Sequence, residues 1–153
     1  MKGISSPPVK LTNSPSGKLY LNSDQENVTK LSPELVHIDT IGTDFTDAIE
    51  DTGNSKITPG EAGLYLIVAH LNWKDVEADK SYCVYIDVSG SFISESYMNS
   101  AFVGSNLGNY ACALVWLSAI DYIEMYAWHN GAGSTVDIRA GEDETYLFVQ
   151  RMR

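Results

Sequence analysis

The sequence predicts an all-β fold, an antiparallel sandwich or barrel, on three observations. Short runs rich in Val, Ile, Tyr, Phe and Trp recur from Glu34 to Arg151, as a pleated, half-buried surface prefers. Clusters bearing Gly, Asn, Asp or Pro separate those runs. No window of useful length carries a helical period, and no repeat of fixed spacing is visible.

Residues 1–30 differ from the rest. Pro7, Pro8 and Pro15 sit among Ser, Asn, Gly and Lys, a mixture that resists both helix and central strand. They read as an extended arm, with a disordered leader as the alternative and one short strand at Lys18–Leu21. The domain proper spans residues 31–153. Its strands are Glu34–Asp39, Ile57–Thr58, Gly63–Trp73, Ser81–Val88, Ser91–Met98, Asn109–Leu117, Asp121–His129 and Thr145–Arg151. The turns between them are Asp51-Thr-Gly-Asn54, Pro59-Gly60, Ser89-Gly90, Gly104-Ser-Asn106, Asn130-Gly131 and Gly141-Glu142. Phe45–Ile49 reads as a single helical turn.

The chain has 153 residues, one domain's length, and buries enough surface to fold without disulfides or a metal. Ten Lys plus Arg against twenty Asp plus Glu give a net charge of −10. That excludes the basic surface a nucleic-acid binder needs and disfavours anionic membranes. The N-terminal residues show no apolar leader core, so no signal peptide is expected. The longest apolar run, Leu64 to Leu71, is interrupted by His70 and too short to span a bilayer. Cys83 and Cys112 lie in apolar runs without ligand-like spacing. They read as buried thiols, with a disulfide as the alternative.

The strand faces are the anomaly. One-sided strands alternate apolar and polar residues, but four runs here do not. Gly63–Trp73 carries Tyr65, Ile67, Ala69, Leu71 and Trp73 on one face and Leu64, Leu66, Val68 and His70 on the other. Tyr110–Leu117 places Ala111, Ala113, Val115 and Leu117 opposite Tyr110, Cys112, Leu114 and Trp116. Tyr146–Val149 is apolar on both faces, and so is Ile120–Trp128 apart from Asp121 and Glu124. A strand apolar on both sides needs two covers. Helices supply them in parallel folds, and here there are none, so the remaining cover is another copy of the chain. Leaving about eight such side chains in water forfeits roughly 1.5–3 kcal/mol each. The expectation is a homo-oligomer; the alternative is a closed barrel around a small ligand.

Pro59-Gly-Glu-Ala-Gly-Leu-Tyr-Leu-Ile67, Tyr110 through Asp121-Tyr-Ile-Glu124, and Thr145-Tyr-Leu-Phe-Val149 together resemble the tumour necrosis factor and C1q superfamily. Ile120-Asp121 stands where that family usually has Gly-Asp. The resemblance covers residues 30–153 and implies an antiparallel jelly-roll sandwich that forms a homotrimer, with one sheet around the three-fold axis. It places Leu66, Val68, His70, Tyr110, Cys112, Leu114, Trp116, Leu147 and Val149 at the axis, and Tyr65, Ile67, Ala111, Ala113, Val115, Tyr146 and Phe148 inside the sandwich. Ala-His-Leu-Asn-Trp73, Ala78-Asp-Lys-Ser-Tyr82 and Asp121-Tyr-Ile-Glu-Met-Tyr-Ala-Trp128 are most similar to modules of bacteriophage virion proteins. That implies a structural protein of a virion, a capsid decoration, head fibre or receptor-binding tip, attached to the larger structure through the arm. A secreted or surface ligand or carbohydrate-binding module is the alternative. Host surface glycan is a candidate partner, with Tyr97, Phe102 and Trp128 as rings for it to stack on.

Catalytic chemistry has little foothold. Neither phosphate-loop pattern occurs, and Asn130-Gly-Ala-Gly-Ser134 reads as a turn. There is no nucleophile elbow. His37, His70 and His129 lack metal-ligand spacing, so no metal and no cofactor is expected. Asp39, Asp44, Asp47, Glu50 and Asp51 fail the EF-hand pattern and read as a solvated loop, with a loop Ca²⁺ site as the alternative. Glu142-Asp-Glu144 reads as a charged turn. No carboxylate pair has a spacing that argues for glycoside hydrolysis. Three copies of His70 near an axis would bind an anion or make assembly pH-sensitive.

Overall fold

The branched and aromatic runs become strands, and the Gly-bearing clusters become the turns between them. The computed structural model describes residues 15–42, 49–133 and 135–153. Among them are β1 (Ser16–Tyr20), β2 (Gln25–Thr29), β3 (Glu34–Leu35), β4 (Thr40–Ile41), β5 (Ile49–Asp51), β6 (Lys56–Thr58), β7 (Gly63–Val76), β8 (Ser81–Val88), β9 (Ser91–Asn99), β10 (Ser105–Leu117), β11 (Ile123–His129), β12 (Thr135–Ile138) and β13 (Tyr146–Arg151). No helix occurs among the described residues, and every strand pair is antiparallel.

The strands form two sheets. The first is built on β7, whose fourteen residues give it room for three neighbours. β10 runs along one edge, from Leu117 opposite Gly63 to Ser105 opposite Val76. Along the other edge lies β13, with Tyr146 opposite His70, and beyond it β12, with Ile138 opposite Trp73. β1 extends the sheet from β13, β4 from β1, and β2 from β12. The second sheet runs β5-β6-β11-β8-β9, and β3 also pairs with β11, at Tyr126 and Ala127. Ser89 and Gly90 join β8 to β9 with φ of 51° and 87°. Two consecutive positive φ values match the twist of a tight hairpin, and Gly supplies one of them without steric cost.

The core fills the space between the sheets. Tyr65, Ile67, Ala69, Leu71 and Trp73 of β7 meet Tyr82, Val84 and Ile86 of β8 and Ile123, Met125 and Ala127 of β11, all fully buried. The buried Tyr65 hydroxyl donates to the Glu61 carbonyl and the Tyr82 hydroxyl accepts from the Glu77 amide, so neither ring buries an unpaired oxygen.

Three expectations need correction. Residues 16–29, expected within an extended arm, form β1 and β2 inside the first sheet, because Leu19 and Val28 are core side chains and both strands have ladder partners. Residues 1–14 lie outside the described residues. Glu34–Asp39, expected as one strand, pairs only over Glu34–Leu35; Val36 and Ile38 then enter the core as an irregular segment. Cys112 is exposed and Cys83 buried, both as free thiols, since β10 presents Cys112 on its outer side. The helical turn expected at Phe45–Ile49 and the acidic Asp44 and Asp47 lie outside the described residues, save that Ile49 opens β5.

Candidate interface on the outer face of the first sheet

Register decides which side chains share the outer face of β10, β7 and β13. Tyr110 lies opposite His70, Cys112 opposite Val68, Leu114 opposite Leu66 and Trp116 opposite Leu64. Across β7, His70 faces Tyr146, Val68 faces Phe148 and Leu66 faces Gln150. The rows are therefore Tyr110–His70–Tyr146, Cys112–Val68–Phe148, Leu114–Leu66–Gln150 and Trp116–Leu64, a grid almost wholly apolar. Its β10 side stands proud: Tyr110, Leu114 and Trp116 keep 59%, 62% and 66% of their surface exposed. Its β13 side is recessed into a hollow of about 280 Å³ lined by Lys18, Val68, Tyr146 and Phe148.

Leu147 and Val149, expected on this face, lie inside the sandwich at 0% and 1% exposure. Tyr146 and Phe148, expected inside, lie on the outer face beside His70 and Val68. The antiparallel register with β7 sets the phase of β13, and shifting a strand by one residue exchanges its two faces. The expected outward placement of Leu66, Val68, Tyr110, Cys112, Leu114 and Trp116 agrees with the register.

His70 anchors one end of the grid. Its ring stacks on Tyr110 at 3.9 Å between centroids and tilts against Tyr146 at 5.5 Å. It is only 6% exposed, and its Nδ1 is buried without a hydrogen-bond partner among the described residues. Burial pushes the imidazole below its ordinary value, with the Glu144 carboxylate acting the other way. Gly108 is the neighbour that makes room: a Cβ there would lie 2.9 Å from His70 Nε2. Polar groups close this end of the face. Asn72 donates to Glu144, Arg139 Nε lies 3.7 Å from Glu144 Oε1, and Lys18 pairs with Glu142 at 3.3 Å while lying over the Tyr146 ring. The expected charged turn at Glu142–Glu144 thus frames the apolar grid.

The other singled-out residues fall elsewhere. His129 is a core residue: its Nε2 lies 2.9 Å from the Val28 carbonyl and its Nδ1 accepts the Gly131 amide. His37 is exposed. Phe102 projects from the segment between β9 and β10. Tyr97 and Trp128, expected near loops, lie within β9 and β11 and meet edge to face at 5.7 Å on the outer side of the second sheet. The Asn130–Gly133 turn is held by the Glu77 carboxylate, which accepts the amides of Ala132 and Gly133. These amides hold Glu77 below the usual carboxylate range. Among the described residues no group of three or more His, Cys, Asp or Glu side chains is arranged to hold a metal ion.

The sequence could not show Tyr146, Phe148 and Lys18 as parts of this face. Their only signal is the register of β13 and β1 against β7.

No protein-family model matches the chain, and no curated protein matches it. Solved structures do. The Eiger TNF of S. frugiperda superimposes with a TM-score of 0.69 at 8% identity, covering 92% of this chain and 94% of that one. The globular domain of the zebrafish complement 1qA protein gives 0.64 at 12% identity, covering 92% of this chain and 98% of that one. Identities this low speak for architecture alone, and the architecture is that of a C1q/TNF-like jelly roll.

Proposed function

We propose that the chain works without catalysis, as a homotrimer whose copies cover the outer face of the first sheet. The observation that carries this reading is the apolar grid of β10, β7 and β13, with Tyr110, Leu114 and Trp116 more than half exposed. Each large apolar side chain moved out of water contributes roughly 1.5–3 kcal/mol, and a monomer seldom leaves so many contiguous. A three-fold ring needs two different patches that fit each other. The grid supplies a protruding β10 side and a recessed β13 side. In this trimer the interface residues are Leu66, Val68, His70, Tyr110, Cys112, Leu114 and Trp116, joined by Tyr146 and Phe148 in place of Leu147 and Val149.

The trimer's role in this reading is structural, in a phage or prophage virion, as a capsid decoration, a head fibre or a receptor-binding tip. The similarity of Ala69–Trp73, Ala78–Tyr82 and Asp121–Trp128 to virion modules supports it, and residues ahead of β1 dock the trimer on the larger structure. Incubating the purified protein with capsids and with host cells tests the role. Retention on capsids supports decoration, and retention on cells supports a tip, where three copies gain avidity. Retention on neither overturns the virion reading in favour of a surface ligand or carbohydrate-binding module.

A further inference from the structure

The outer face of the second sheet carries a second pattern, on the opposite side of the sandwich from the apolar grid. Register across β11, β8 and β9 gives the rows Glu124–Asp87–Phe92, Tyr126–Tyr85–Glu95 and Trp128–Cys83–Tyr97. Five aromatic rings and three carboxylates thus share one surface. The rings brace one another: Phe92 stacks on Tyr85 at 4.8 Å and meets Tyr126 edge to face at 5.5 Å. The hydroxyls of Tyr85 and Tyr97 lie 2.7 Å apart. Phe92 and Tyr97 nonetheless keep 50% and 52% of their surface exposed. A hollow of about 300 Å³ opens beside them, lined by Phe92, Ile93, Ser94 and Glu95.

The carboxylates of this face form no close ion pair. Among the described residues, Asp87, Glu95 and Glu124 take part in no ion pair. Asp87 is buried and accepts the Gly90 amide, and Glu124 accepts the Tyr126 hydroxyl at 3.2 Å. Lys56 acts on Glu124 only from a distance: it lies over Tyr122 at 5.3 Å from the ring centre and 3.9 Å from Asp51 Oδ2, which leaves Glu95 as the carboxylate without a cation near it in the ion-pair network.

We propose that this face binds a cationic segment of a partner protein, with Arg or Lys side chains against Phe92, Tyr97 and Tyr126 and their charge met by Glu95 and Glu124. An aromatic face attracts a cation, and more strongly once water is displaced. A carboxylate beside the ring fixes where the charge sits. A neutral sugar would also stack on these rings but would leave the carboxylates without counter-ions, and an acidic one would be repelled, so charge complementarity selects the cation. The site lies wholly on one chain and does not depend on the proposed trimer.

Calorimetric titration of the full-length protein with a capped peptide of alternating Arg and Ser tests the proposal. The expected result is saturable binding that weakens as salt rises. Joint Phe92→Ala and Tyr97→Ala substitution lowers affinity by about tenfold. Glu95→Gln lowers it to a smaller extent, while Glu26→Gln, an equal charge change on the exposed side of β2, leaves it unchanged. Phe92→Leu with Tyr97→Leu keeps the cover over Tyr85 and serves if the alanine pair fails to fold. No binding, equal losses for Glu95→Gln and Glu26→Gln, or capture of neutral glycans without capture of the peptide each overturns the proposal.

Discussion

At Cys112 the chemistry of one atom reports on the whole face. Its thiol is exposed on a single chain and lies in the middle of the apolar grid, opposite Val68. Cys83, by contrast, is buried, and burial pushes its thiol up to about 11, so it reacts slowly in any assembly state. Thiol labelling of the native protein should therefore be slow at both cysteines when copies cover the grid. In a Trp116→Asp variant, which puts a charge where the apolar contact forms, labelling should become fast at Cys112 alone. His70 makes a second prediction. Tyr110, Tyr146, Asp143 and Glu144 surround it, and burial lowers its folded value from an ordinary 6.5. The unfolded chain then takes up the proton more readily than the folded one. The contribution of neutral His70 is complete above about pH 6.5 and is lost as pH falls toward the lowered folded value. Thermal unfolding should show a lower midpoint at pH 5 than at pH 7.5, with a shallower dependence in His70→Gln; an unchanged slope in that variant would place the titration elsewhere.

Among the elements, β13 shows what a doubly apolar strand hides. Tyr146-Leu-Phe-Val149 has no polar residue to mark its wet side, so alternation gives no phase, and the phase comes from pairing with β7. For β7 and β10 the phase came with the family resemblance, and the register agrees with it: β10 turns small Ala111 and Ala113 toward the core and large Tyr110, Leu114 and Trp116 outward. The short polar strands carry no legible pattern, for another reason. β2 buries one large apolar side chain, Val28, and β12 two, Val136 and Ile138, too few to write a period. Substitution separates the two faces of β13. Leu147→Ala removes a fully buried side chain and should lower unfolding free energy by about 2–5 kcal/mol, measured by denaturant unfolding. Phe148→Ala should leave the secondary structure intact and weaken assembly instead, measured as a higher protein concentration at which the complex dissociates.

For the whole molecule, fold class followed from period-two runs and turn chemistry, and the jelly roll from spread motifs that now agree with solved structures sharing about a tenth of the sequence. The second cover for the first sheet was legible as a need: sequence alternation exposed the doubly apolar strands, but only the register of β13 and β1 drew the outline of the face. The acidic aromatic face of the second sheet was half legible. Tyr97 and Trp128 stood out as rings, while their partners Tyr85, Phe92 and Tyr126 come from three strands that only sheet order brings together. The central claim is that copies of this chain shield the outer face of the first sheet, and absolute mass in solution tests it most directly. Sedimentation equilibrium at high dilution should return three times the 16.8 kDa chain mass. A stable species at the mass of one chain, with Trp116 in water, would contradict it.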